Sequence, residues 1–142
     1  MKLYSSNLLL NFIHLQEEEL RQELIVLHEL ILKIKPNTQL WFFDGKNESG
    51  KIVTNPNMGY GTCTLKQAAN KTREFYRIGI SPNLQGISIY VFGLEDKTYL
   101  NQHFKDKIGK AKISGYCIKF KSLKDINMKV LEMLFESELN KE

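Results

Sequence analysis

Cysteine is scarce: Cys63 and Cys117 are the only two in 142 residues. They are too few for a disulfide framework and too far apart for the Cys-x-x-Cys spacing of redox or zinc motifs. A reduced protein with two structural thiols is the expectation. Histidine is limited to His14, His28 and His103. No His-x-x-x-His or Glu-x-x-His pair sets two metal ligands on one helical face, so no metal site is expected. Arginine occurs only as Arg21, Arg73 and Arg77. That disfavours nucleic acid, whose binders interleave arginines and exposed aromatics with their lysines. Gly59 and Gly61 are followed neither by Gly-Lys-Ser/Thr nor by a helix, which excludes a phosphate loop; they are expected to permit a tight turn around Tyr60. Long apolar runs are also missing. The cluster from Leu8 to Leu15 is broken by Asn11 and His14 and closed by Glu17, Glu18 and Glu19. It falls short of the ~20 residues of a span and has no small-x-small cleavage site. The expectation is a cytoplasmic protein without membrane contact.

What is present is ordinary in amount and uneven in distribution. The chain is 42% hydrophobic and 25% charged, with a formal charge of +4, which suits one globular unit. Residues 1–142 are read as a single domain, with N-terminal helices over 1–36 and a sheet with C-terminal helices over 37–138. Ser5 and Ser6 are suited to cap a short helix carrying Leu9, Phe12 and Ile13. Leu20, Leu24, Leu27, Ile31 and Ile34 recur at spacings of four and three, one face of a second helix. Glu17 to Glu19 suit its start, Lys33 and Lys35 its end, and Pro36 stops it.

Beyond Pro36 the period changes to that of strands. Gln39 to Phe43, Tyr60 to Leu65, Phe75 to Ile80 and Ile87 to Phe92 read as strands, the last two joined by a longer loop from Ser81 to Gly86. Ile87, Ile89 and Val91 face one way, and Ser88, Tyr90 and Phe92 the other. Tyr99 to Ile108 is helical in spacing, and Tyr116 to Lys121 alternates as a half-buried strand. Asp125 is read as the cap of a final helix with Ile126, Val130, Met133 and Leu134 inward. The fold class is therefore α+β, an antiparallel sheet with the N-terminal helices and a C-terminal helix packed on one face.

Three segments carry a family resemblance. These are Asn57-Met58-Gly59-Tyr60-Gly61; Phe75 to Pro82 followed by Ile87-Ser88-Ile89-Tyr90; and Gly109-Lys110-Ala111-Lys112 with Cys117 to Ile126. Together they resemble the domain of unknown function 1801 family, the YdhG-like proteins. The resemblance implies an α+β fold and, for most members, no assigned activity; some distant members are described as frataxin-like iron chaperones. Ala111 stands where close relatives carry His, which weakens a catalytic histidine. Asn83 and Leu84 replace basic residues in the Ser-Pro turn, which weakens anion capture there, and Asn127 replaces an acid.

The candidate sites follow from residue chemistry. Glu17, Glu18, Glu19 and Glu23 are the one acidic surface for a hard cation, and they read better as a solvated helix start. An enzyme site would have to be assembled by the fold from Cys63, His103 and a carboxylate; no catalytic residue and no cofactor is assigned. Trp41, Tyr60, Tyr76 and Tyr90 could line a ligand pocket, each ring offering an apolar body and a polar tip. Residues 1–50 carry five basic and seven acidic groups, and residues 51–142 fifteen and nine. Between 105 and 124 seven lysines face one acid, Asp106. Lys110, Lys112, Lys119 and Lys121 are expected to gather as a weak anion-binding patch, Lys110 and Lys112 from a Gly109-led turn. The leading expectation is a non-enzymatic binding or accessory protein with a small-molecule or protein partner. An iron chaperone, a small-molecule enzyme and a polyanion binder are the alternatives.

Overall fold

The computed structural model describes residues 6–94 and 96–141. Helix α1 (Ser6–His14) and helix α2 (Glu18–Ile34) open the chain. The expected cap at Ser5, and the side chain of Ser6, lie outside the described residues. Leu9 and Ile13 of α1 and Leu24, Leu27 and Ile31 of α2 are fully buried. These are the faces that the three-and-four spacing marks out. Pro36 follows Lys35, whose N–H closes the last turn on the Ile31 carbonyl at 2.9 Å.

Eight strands follow: β1 (Leu40–Phe43), β2 (Asn57–Tyr60), β3 (Cys63–Lys66), β4 (Thr72–Phe75), β5 (Ile78–Asn83), β6 (Gly86–Val91), β7 (Lys112–Ser114) and β8 (Cys117–Phe120). Helix α3 (Tyr99–Phe104) precedes β7, and α4 (Met128–Leu139) ends the order. Six strands form an antiparallel sheet in the order β1-β2-β5-β6-β8-β7, while β3 and β4 form a separate two-stranded ribbon. The ribbon is inserted between β2 and β5, which nevertheless pair with each other.

One sheet face carries Met58, Tyr60, Ile78, Ile80, Ile87, Ile89, Val91 and Ile118, all buried in one core with α1, α2 and α4. A β-branched side chain at every second position suits a pleated, half-buried surface. Fully burying each such chain contributes roughly 1.5–3 kcal/mol before the entropy of ordering it is subtracted. No described helix is long and apolar enough to cross a membrane.

Several boundaries differ from the sequence reading, each for a local reason. The strand expected over Tyr60 to Leu65 is broken at Gly61, which has φ +77° and turns the chain from β2 into the ribbon. Gly59, expected to serve the same turn, lies within β2. The longer loop expected from Ser81 to Gly86 is a two-residue turn at Leu84 and Gln85, because β5 runs on through Pro82 opposite Ile87. Pro82 is tolerated there because it lies past the end of β2, where no ladder bond is asked of it on that side. Gly86 is required at the turn: its φ is +135°, and a Cβ would stand 2.2 Å from the Phe120 carbonyl oxygen.

The expected turn at Lys110 and Lys112 is corrected in part, since Lys112 begins strand β7. Asn127, not Asp125, caps α4, accepting the Val130 N–H on Oδ1 at 3.3 Å. Ile126 bridges to Gly109 ahead of the helix, and Met133 points outward at 64% exposure. Leu134 is fully buried and Val130 packs against the core, both as expected, while Leu131, Phe135 and Leu139 complete the inward face of α4.

Candidate anion-binding site

Among the described residues the helices pack their buried side chains with the first face, and on the second face the strand register lays the side chains out in rows. One row runs Trp41, Gly59, Gly79, Tyr90, Cys117, Ser114 across six strands. The next runs Ser81, Ser88, Lys119, Lys112. Positions two apart on a strand share a face, so both rows lie on the side away from the core.

The β1 end of this face is closed by aromatic packing. The Tyr76 ring lies over both glycines: a Cβ at Gly59 or at Gly79 would come within 2.4 Å of it. Phe75 stacks on Tyr76 with ring centroids 4.2 Å apart, and Trp41, Phe43 and Phe92 extend the cluster at 5.5–6.3 Å. Trp41 Nε1 donates to the Gly61 carbonyl at 2.8 Å. Burial holds the Tyr76 phenol well above its ordinary pKa, with Tyr90 and Cys117 adding to the shift. Trp41 and Tyr76 are therefore structural parts of a nearly dry cluster.

The β7 end is open and positively charged. A cleft of about 480 Å³ lies there, with Tyr90 and Ser88 in its lining and Lys112, Lys119 and Lys121 around it. An adjoining recess of about 240 Å³ brings Lys110 to the same three lysines, with Asp125 its one carboxylate. All four lysines singled out in the sequence thus meet at one place. Lys112 and Lys119 stand directly opposite each other across β7 and β8. Among the described residues, Lys112, Lys119 and Lys121 form no salt bridge.

Ser88 is 2% exposed and receives the Asn83 side-chain amide at 3.1 Å. Ser81 donates to the Pro56 carbonyl at 2.8 Å, so the polar floor is internally bonded. Tyr90 is held above its ordinary pKa by burial first, then by Cys117, with Ser88 opposing. Burial likewise pushes the Cys117 thiol up, against smaller opposing effects of Lys119 and Ser88. Cys117 is therefore a neutral thiol at neutral pH, a poor nucleophile.

Of the four aromatics proposed from sequence, Tyr90 lines the cleft, Trp41 and Tyr76 lie in the adjoining cluster, and Tyr60 does not share their face. Tyr60 points into the helix-side core, where its hydroxyl shares a hydrogen bond with His28 Nδ1 at 2.7 Å. Cys63 is buried, with its thiol donating to the Tyr76 carbonyl at 3.6 Å. His103 is exposed on α3 and packs against Tyr99. Of the acidic run, Glu23 accepts from the Ser122 hydroxyl at 2.7 Å. No group of three or more His, Cys, Asp or Glu that could hold a metal is gathered among the described residues.

Sequence reasoning missed Ser88 and Asn83 as the floor. The alternation of Ser88 and Tyr90 against Ile87 and Ile89 carried that signal, since it sets a serine and a lysine-rich strand on one face. Comparison of the chain with protein families, with curated proteins and with solved structures returns no significant match.

Proposed function

We propose that the protein is a non-enzymatic, cytoplasmic binding protein of the domain of unknown function 1801 type, and that it takes an anionic ligand on the helix-free sheet face. The observation that carries this is the Lys112–Lys119 pair, directly opposed in the register of β7 and β8. Like charges at directly opposed positions destabilise a sheet by up to roughly 1 kcal/mol. Lys121 and Lys110 stand beside the pair; Asp125 shares their recess, and Glu17, Glu19 and Glu23 line a neighbouring recess on the Lys121 side. An anion between the two ammonium groups relieves the repulsion and gains charge-assisted hydrogen bonds.

Calorimetric titration with pyrophosphate and with heparin, at low and at physiological salt, tests the reading. At physiological salt the Debye length is about 8 Å, so only a compact cluster keeps useful potential. Saturable binding that weakens with salt is expected, and its loss when Lys110, Lys112, Lys119 and Lys121 are all changed to Ala. Binding unaltered by the four substitutions, or no binding at low salt, would overturn it.

A further inference from the structure

We infer that the ligand of this cleft is a nucleoside phosphate, with its phosphate between Lys112 and Lys119 and its base against Tyr90. The inference rests on the reading of the cleft as an anion site and adds to it the organic part of the ligand.

Three features of the cleft point the same way. The first is size: about 480 Å³ falls within the ~300–1,000 Å³ of small-molecule pockets and exceeds what a bare phosphate needs. The second is the aromatic wall. Of the two rings in the cleft's lining, Tyr90 is half-buried and Phe120 buried, and Tyr90 sits one register row from Lys119: Tyr90 pairs with Cys117, two residues before Lys119 on β8. Its ring stacks parallel to that of Phe92, within 2° at 6.2 Å between centroids, which anchors it to the packed cluster at the edge of the cleft. Planar bases stack on such rings whatever their sequence identity. The third is the rim. Asn55 and Gln85 are exposed and line the same cleft. Their side-chain amides each offer a donor and an acceptor, the pair of functions that a base edge presents. A bare inorganic anion could accept from the amide N–H groups but would leave the ring face and the amide carbonyls unused.

The three features also fit a single nucleotide better than a strand of nucleic acid. The lysines are confined to β7, β8 and their flanks, and the aromatic face beyond Tyr90 is closed by the packing of Phe75 on Tyr76. A polymer needs a charged track that continues past the first base.

The test is a calorimetric series on the intact protein with inorganic phosphate, ribose 5-phosphate and the four nucleoside monophosphates. Stacking on one aromatic ring is expected to make at least one nucleoside monophosphate bind about tenfold more tightly than phosphate or ribose 5-phosphate. Tyr90→Leu is expected to bring that ligand down to the level of inorganic phosphate measured on the same variant, with circular dichroism confirming that the variant is folded. Should Tyr90→Leu not fold, the ligand series on the unmodified protein still decides. Equal affinity for phosphate and every nucleoside monophosphate would overturn the inference and leave the anion site standing. Binding of a single-stranded oligonucleotide without binding of any monomer would overturn it in favour of a polymer surface. No binding of any anion would remove both readings.

Discussion

The ring of Tyr76 rests on two glycines from adjacent strands, and that contact decides how the helix-free face closes. Gly59 and Gly79 are opposed in register, and neither has room for a Cβ under the ring. Gly79→Ala is expected to cost about 1–3 kcal/mol, the usual penalty for forcing an added methyl into a packed site. Urea unfolding followed by circular dichroism measures it; an unchanged midpoint would show that the ring is not fixed there. On the other face, His28 is buried beside Tyr60, and its Nε2 has no hydrogen-bond partner among the described residues. Burial lowers its pKa below the ordinary 6.5, with Glu29 opposing. Below about pH 6.5 the unfolded chain takes a proton that the folded core resists. Stability is thus full above that pH and declines as pH falls toward the lowered folded value. His28→Gln, which keeps a polar partner for Tyr60, is expected to flatten this decline in unfolding midpoints taken from pH 7.5 down to 5. A slope identical to that of the unmodified protein would refute the role. The sequence shows both tyrosines and both glycines, but which ring covers which glycine depends on pairing between distant strands. Grouping Tyr60 with Trp41, Tyr76 and Tyr90 failed for that reason: residue type carries the chemistry and register assigns the face.

Helix α4 is held by more than its apolar face. Glu138 is fully buried, 3.8 Å from Arg77 and 2.9 Å from Lys141, and Lys35 donates to the Leu139 carbonyl at 3.2 Å. Removing one member of a buried pair leaves an uncompensated charge, at a cost of roughly 3–5 kcal/mol. Glu138→Ala is therefore expected to destabilise strongly, whereas Glu136→Ala on the exposed side of the same helix should fall within about 0.5 kcal/mol of the unmodified protein. Comparable losses for the two would contradict the tie. Replacing the cap, Asn127→Ala, should cost about 1 kcal/mol. Long periodic elements such as α2 were legible because their apolar residues repeat over several turns. Strand β7 was not, because three residues with one half-buried position, Ile113, leave no period to read. The extent of β5 was hidden by Pro82, which reads as a turn residue unless the end of the neighbouring strand is known.

At the scale of the molecule, the two sheet faces have different work. One is filled by α1, α2 and α4, and the other is divided between a packed aromatic cluster and an open end with four converging lysines. The chain's charge is −2 over residues 1–50 and +6 over the rest, and β7 and β8 bring four of the fifteen basic residues of that second part to one place. That concentration was legible in part, since the spacing of Lys119 and Lys121 against Ile118 and Phe120 already put both lysines on the side away from the core. Their meeting with Lys110 and Lys112 needed the β7–β8 register. The most direct measurement is a two-dimensional amide NMR titration of the isotope-labelled protein with pyrophosphate at low salt. Saturable shifts confined to β7, β8 and the Leu84–Gln85 turn, all following one binding curve, are the expected result. Shifts centred on the helices, or none that saturate, would contradict the assignment of this sheet face as the binding site.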